Sequence, residues 1–102
     1  MKIKKLDHIA VNVTDIQKSI LWYVENLSAI IEYQDDTWAM LNIAGSKIAL
    51  TMPQQHPSHI AFTVENIDDL DHPTSFHRDG SKYCYIEDTD GNTIELITWK
   101  KT

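Results

Sequence analysis

His8 and His59 each open the same short peptide. Residues 8–16 read HIAVNVTDI and residues 59–67 read HIAFTVENI, identical at five of nine positions. A second pair of segments follows in the same order: Lys47-Ile48-Ala49-Leu50-Thr51 and Thr93-Ile94-Glu95-Leu96-Ile97. Two matches in one order point to an internal duplication, under which His8 corresponds to His59 and Ala49 to Glu95. Two imidazoles and one carboxylate suit a divalent metal (Fe, Mn, Ni, Co or Zn) and leave coordination positions open for substrate, water or dioxygen. His8, His59 and Glu95 are therefore the candidate metal ligands. Taken singly, a histidine at a strand start is commonly a hydrogen-bonded edge residue, and a lone glutamate in a hairpin is solvated. Their duplicated positions and matching faces favour the metal.

The elements that would carry these groups follow from pattern. His8 to Val13 alternates with β-branched residues and reads as a strand. Thr14 starts a helix with Gln17 as its capping-box partner, and Ile16, Ile20, Val24 and Leu27 repeat as one apolar stripe. Trp22 and Tyr23 read as packing residues of that helix. Strands over roughly 29–33, 37–43 and 47–52 follow, separated by turns at Asp35-Asp36 and Ala44-Gly45-Ser46. The first half is βαβββ. The second half opens with a strand over 58–64. Its helix is cut down to residues 66–70 before Asp71-His72-Pro73 stops it. A hairpin over 81–88 and 93–99 then turns at Thr89-Asp90-Gly91-Asn92. This gives an α+β fold of two βαβββ modules, about 5–52 and 58–100, joined by a linker at 53–57, within one domain over 1–102.

Side-chain alternation sorts these strands onto two faces. Ile9, Val11, Val13, Ile48, Leu50, Ile60, Phe62, Val64, Ile94 and Leu96 make a greasy face for the helices. His8, His59, Ala49 and Glu95 fall on the opposite face, which mixes polar and apolar groups as a lined concavity would. Trp38, Met40, Lys47, Ala49, Thr51, Tyr83 and Trp99 share it and are the candidate substrate-cup residues. Arg78 with Lys47 and Lys82 would offer an anion contact.

Composition narrows the function classes. A formal charge of −6 and a single arginine, Arg78, argue against nucleic acid or an anionic membrane as partner. No apolar run approaches the ~20 residues of a membrane span. The one cysteine, Cys84, forms no internal disulfide, which fits a reducing, cytoplasmic setting. A small-molecule ligand is the expected partner.

Three stretches, LDHIAVNVTDIQKSILWYVENL, PSHIAFTV and HRDGSKYCYIEDTDGNTIELI, together resemble the vicinal oxygen chelate superfamily of glyoxalase I, extradiol dioxygenases and bleomycin- and fosfomycin-resistance proteins. The resemblance implies eight strands pairing into a cup-shaped, incompletely closed barrel-like sheet, with metal ligands at His8, His59 and Glu95. It implies a metal-dependent enzyme acting on a small molecule with vicinal oxygens, or alternatively a metal-free, resistance-type binding protein. Ala49 stands where glyoxalase I-type members carry a fourth ligand. Ser28 replaces a glycine that often ends the first helix. His77, Tyr85, Asp88, Gly91 and Glu95 follow the order of the extradiol terminal signature, with Cys84 and Thr89 departing from it. By that likeness His77 would act as acid/base and Tyr85 would hold a bound oxygen. Small members of the superfamily often form homodimers, and the apolar edge beside the shortened helix offers a reason for one here.

Overall fold

The computed structural model describes residues 2–99; the outermost ends of the 1–102 domain and of the second module, at Met1 and Lys100–Thr102, lie outside them. Its strands are β1 (Ile3–Asn12), β2 (Ile30–Gln34), β3 (Trp38–Ile43), β4 (Ser46–Thr51), β5 (His59–Val64), β6 (Ser75–Phe76), β7 (Lys82–Glu87) and β8 (Thr93–Thr98), hydrogen-bonded in the orders β2-β3-β4-β1 and β5-β8-β7-β6. By contacts the chain divides into two compact units, His8–Ser58 and the described part of Met1–Asp7 with His59–Thr102.

The first unit holds the second half of β1 (Ile3–Asn12), α1 (Ile16–Leu27), β2 (Ile30–Gln34), β3 (Trp38–Ile43) and β4 (Ser46–Thr51). The parallel pair β1–β4 sets Ala10 against Ala49 and Asn12 against Thr51. The antiparallel pair β3–β4 sets Met40 against Ala49 and Trp38 against Thr51. Leu41, Leu50 and Ala39, on the opposite parity, pack with Ile16 and Ile20 of α1, so the greasy face is where alternation put it. Burying such side chains contributes roughly 1.5–3 kcal/mol each.

Asp15, not Thr14, caps α1: its carboxylate accepts from the Lys18 amide at 3.0 Å, while its backbone stays extended. An aspartate directly before the first helical residue outcompetes the capping box one position earlier. The buried stripe is also narrower than expected. Ile16 and Ile20 are buried with Tyr23 packed beside them, whereas Val24, Leu27 and Trp22 are exposed. The β3–β4 turn uses positive φ at both Ala44 and Gly45, the two-residue geometry that matches strand twist.

The second unit holds β5 (His59–Val64), a 3-10 turn at Ile67–Asp69, β6 (Ser75–Phe76), β7 (Lys82–Glu87) and β8 (Thr93–Thr98). The second helix is truncated as expected. Asn66 caps the turn through the Asp68 amide, and Ile67 packs with Val64, Cys84 and Leu96. The parallel pair β5–β8 places Ala61 opposite Glu95, the same relation as Ala10 to Ala49. The duplication thus extends to register. β6, only two residues long, was not readable from pattern; it exists because Ser75 and Phe76 pair with Tyr83 and Lys82.

β1 starts at Ile3 rather than His8. Lys4, Lys5 and Asp7 have little strand propensity, but this end of the strand has partners in the second unit. The Glu65 amide donates to the Lys2 carbonyl, and the Thr63 hydroxyl donates to the Asp7 carboxylate at 3.0 Å.

Ser28 ends α1 with φ 55° and ψ 37°, a left-handed conformation that a Cβ disfavours and glycine adopts readily. Ser28→Gly is expected to raise stability by about 0.5–1 kcal/mol, read as a higher urea midpoint at unchanged slope.

Candidate metal centre

Glu95 projects from the middle of β8 and is 1% exposed. Its position opposite Ala61 on one side and Tyr85 on the other is fixed by the β5–β8 and β7–β8 registers. Burying a carboxylate costs several kcal/mol unless partners replace its water. Two imidazoles flank it. His59, two residues before Ala61 on the same face of β5, brings Nε2 to 3.2 Å from Oε1. His77, from the loop between β6 and β7, brings Nε2 to 2.6 Å from Oε2. Each carboxylate oxygen therefore has its own imidazole.

The His77 loop is itself tightly built. The His77 amide donates to the Ser81 carbonyl and the Gly80 amide donates back to His77, with Gly80 at positive φ. The Asp79 carboxylate accepts from the Ser81 amide at 2.8 Å and from its hydroxyl at 2.6 Å. Burial alone would raise the Asp79 pKa, but those hydrogen bonds, together with the charge of His77, hold it below the usual carboxylate range. Tyr83 stacks on the His77 ring at 3.7 Å between centroids and 7° between planes.

Tyr85 follows two residues on and meets His59 with ring centroids 5.3 Å apart. Burial first, then the nearby charge of Glu95 and the neighbouring Tyr83, push its pKa well above 10.0. Tyr85 is thus a phenol at any physiological pH, able to donate a hydrogen bond but not to serve as a resident base. The same burial and Glu95 charge raise the pKa of Cys84, which lies on the opposite, apolar face of β7 among Val64, Ile67 and Leu96.

His8 directly follows Asp7 in β1, the residue that Thr63 and the Trp99 indole N–H hold by hydrogen bonds of 3.0 and 2.7 Å. His59 and Glu95 stand side by side within the second unit, and His8 offers a further nitrogen donor. Two nitrogen donors and one carboxylate oxygen match a divalent first-row metal. The 3.2 Å between His59 Nε2 and Glu95 Oε1 also suits two ligands of one ion at bonds of about 2.1 Å. The donor set fits the group that the sequence implied.

The remaining expected residues divide between the two units. Tyr83 and Tyr85 adjoin His77 and His59, as described. Trp99 spends its indole N–H on Asp7, a partner that alternation did not suggest. In the first unit, Ala49 and Ala10 are buried and adjacent, with Met40 beside Ala49. Thr51 accepts from Asn12 Nδ2 at 2.9 Å, and Trp38 stacks on Tyr33. Lys47 lies 3.6 Å from Glu32 and Lys82 bonds Asp68, so both cations expected to meet an anion face carboxylates instead. The direct His77–Glu95 bond was not legible in the sequence; only the order of the two residues hinted at a shared role.

The family model for the Glyoxalase/Bleomycin resistance protein/Dioxygenase superfamily matches residues 5–75. Metallothiol transferase FosB of Staphylococcus saprophyticus is 30% identical over 94% of this chain and 78% of its own length. The FosB protein of Staphylococcus haemolyticus is 31% identical over 94% of this chain and 84% of its own. Among solved structures, a hypothetical protein from Bacillus halodurans superposes with a TM-score of 0.78 at 22% identity, covering 96% of each chain. Methylmalonyl-CoA epimerase from Mycobacterium tuberculosis gives 0.74 at 20% identity, over 97% of this chain and 90% of that one. The chain belongs to the glyoxalase/bleomycin resistance protein/dioxygenase superfamily, and the eight strands and one full helix of its described residues are the fold it shares with these structures.

The raised Tyr85 pKa has a measurable consequence. A phenol whose folded pKa exceeds its unfolded value keeps its contribution to stability below about pH 10 and loses it as pH rises further. Wild-type protein is expected to lose stability between pH 9.5 and about 11 more steeply than Tyr85→Phe, as followed by urea melts across that range; parallel curves would contradict the assignment.

Proposed function

We propose that this protein is a metal-dependent enzyme that acts on a small molecule bearing neighbouring oxygens, with His8, His59 and Glu95 as its metal ligands. The observation that carries the reading is Glu95: a carboxylate buried in an apolar sheet, one oxygen beside His59. A bound divalent ion would supply Lewis acidity to substrate oxygens. Around it, Tyr85, whose ring lies 5.3 Å from that of His59, offers a phenolic hydrogen to a bound oxygen. The small pair Ala10–Ala49 leaves room where a fourth protein ligand would sit, which suits a substrate or water completing the coordination.

The reaction class comes from the curated relatives, which are named metallothiol transferases. By likeness, thiol transfer involving such an oxygenated small molecule is the reaction class to test. No observation favours the metal-free binding alternative, because an apolar binding cup has no use for a buried carboxylate set between imidazoles. The reading includes a cytoplasmic location, where Cys84 stays reduced, and a homodimer. Among the described residues no helix is long and apolar enough to cross a membrane. Ile60 lies on the face that the shortened helix leaves uncovered and is 41% exposed, an apolar surface that a second copy would bury. Sedimentation equilibrium at micromolar concentration should give twice the chain mass; a monomer would remove the dimer from the reading.

Metal content of untagged protein, measured by elemental mass spectrometry after loading with Fe(II), Mn(II), Ni(II) or Zn(II), tests the centre. About one ion per chain is expected, falling at least tenfold in His59→Ala with the fold retained. The loaded protein is then expected to consume free thiol in the presence of oxygenated electrophiles. Absence of bound metal under every loading condition would sink the enzyme reading.

A further inference from the structure

The two oxygens of Glu95 are not equivalent. Oε2 accepts from His77 Nε2 at 2.6 Å, while Oε1 lies 3.2 Å from Nε2 of His59. The first distance is short for an N–H···O bond, as expected of a charge-assisted one. His77 is also held on its own account. Its ring is stacked on Tyr83, and its backbone is pinned by the Ser81 and Gly80 hydrogen bonds. The loop around it is braced by Asp79. A side chain clamped on its ring face and at its backbone does not follow Glu95; Glu95 follows it.

We propose that His77 is a positioning residue: by tying up Oε2 of Glu95 it makes that carboxylate a one-oxygen metal ligand, presented through Oε1 in the direction of His59. This rests on the metal reading above and assigns the role of a residue outside the ligand set. Residues that orient a ligand in this way typically govern metal affinity by 10–100-fold. The role is distinct from proton transfer to substrate. The bond runs to a ligand, and His77 need not touch the reacting atoms for its loss to be felt. The Tyr83 ring and the Asp79 brace belong to the same device, since each restrains where the imidazole sits.

Cobalt(II) alone serves as the probe, because its visible absorption reports both affinity and coordination number. Wild type, His77→Ala, His77→Gln and His59→Ala would be titrated with Co(II) in competition with a chelator, after matching thermal melts of the metal-free proteins. Wild type is expected to bind one Co(II). His77→Ala should bind 10–100-fold more weakly, with bands shifted as the released carboxylate engages through both oxygens. His77→Gln keeps a side-chain N–H donor and should recover the wild-type spectrum with most of the affinity. If wild type and His59→Ala bind equally poorly, the metal reading itself fails and the proposal with it. If wild type binds, His59→Ala does not, and His77→Ala matches wild type in affinity and spectrum, the positioning role alone is overturned. A His77→Gln spectrum identical to that of His77→Ala would overturn it equally, and that comparison stands even where the alanine variant melts early.

Discussion

A carboxylate that is 1% exposed constrains everything near it. Glu95 sits at the centre of β8, between β5 and β7, where neither neighbour can be moved without breaking a ladder. Left alone, it would cost several kcal/mol of lost hydration or take up a proton. The His77 hydrogen bond replaces hydration at Oε2 and His59 stands 3.2 Å from Oε1, each from a different kind of element: His59 from a rigid strand, His77 from a braced loop. The tolerance of the second unit for a charged group in its sheet depends on these two contacts. So does the arrangement of aromatic rings beyond them, since Tyr83 leans on one imidazole and Tyr85 on the other.

The duplication explains why such a site exists on this face. Both halves place a His-Ile-Ala segment parallel to a later strand, with the alanine opposite position 49 or 95. In one half that position is alanine beside alanine; in the other it is glutamate beside alanine. One copy is thereby smooth and small-lined, and the other carries charge. The difference lies in a single side chain on a common backbone plan, which is the economical way for a repeated module to become asymmetric.

The fold and the shared face of His59 and Glu95 were legible because they depend on periodicity. Alternation places His59, Glu95 and Tyr85 on one face and Leu96, Val64 and Cys84 on the other without knowledge of any contact. The shortened second helix was visible from Asp71-His72-Pro73. What was not legible depends on pairing. The stretch Ile3–Asp7 lies in β1 with Glu65 and Thr63 bonded to Lys2 and Asp7 at its two ends, and β6 exists beside β7. The His77–Glu95 bond depends on a loop conformation set by Asp79, Gly80 and Ser81, which no spacing rule encodes. The two lysines expected near an anion were misread for a related reason: the nearest opposite charges, Glu32 and Asp68, lie on neighbouring elements, and only packing brings them close.

The parallel pairing of β5 with β8 also bears on the order in which the chain assembles. Parallel neighbours cannot be joined by a tight turn, and closing long loops delays a contact relative to local ones. β6, β7 and β8 form a meander of short connections, and His77 and Glu95 are 18 residues apart. His59 lies twice as far from Glu95 along the chain. The contact from the loop imidazole therefore closes the shorter stretch of chain, at a smaller loop-closure cost than the contact from β5.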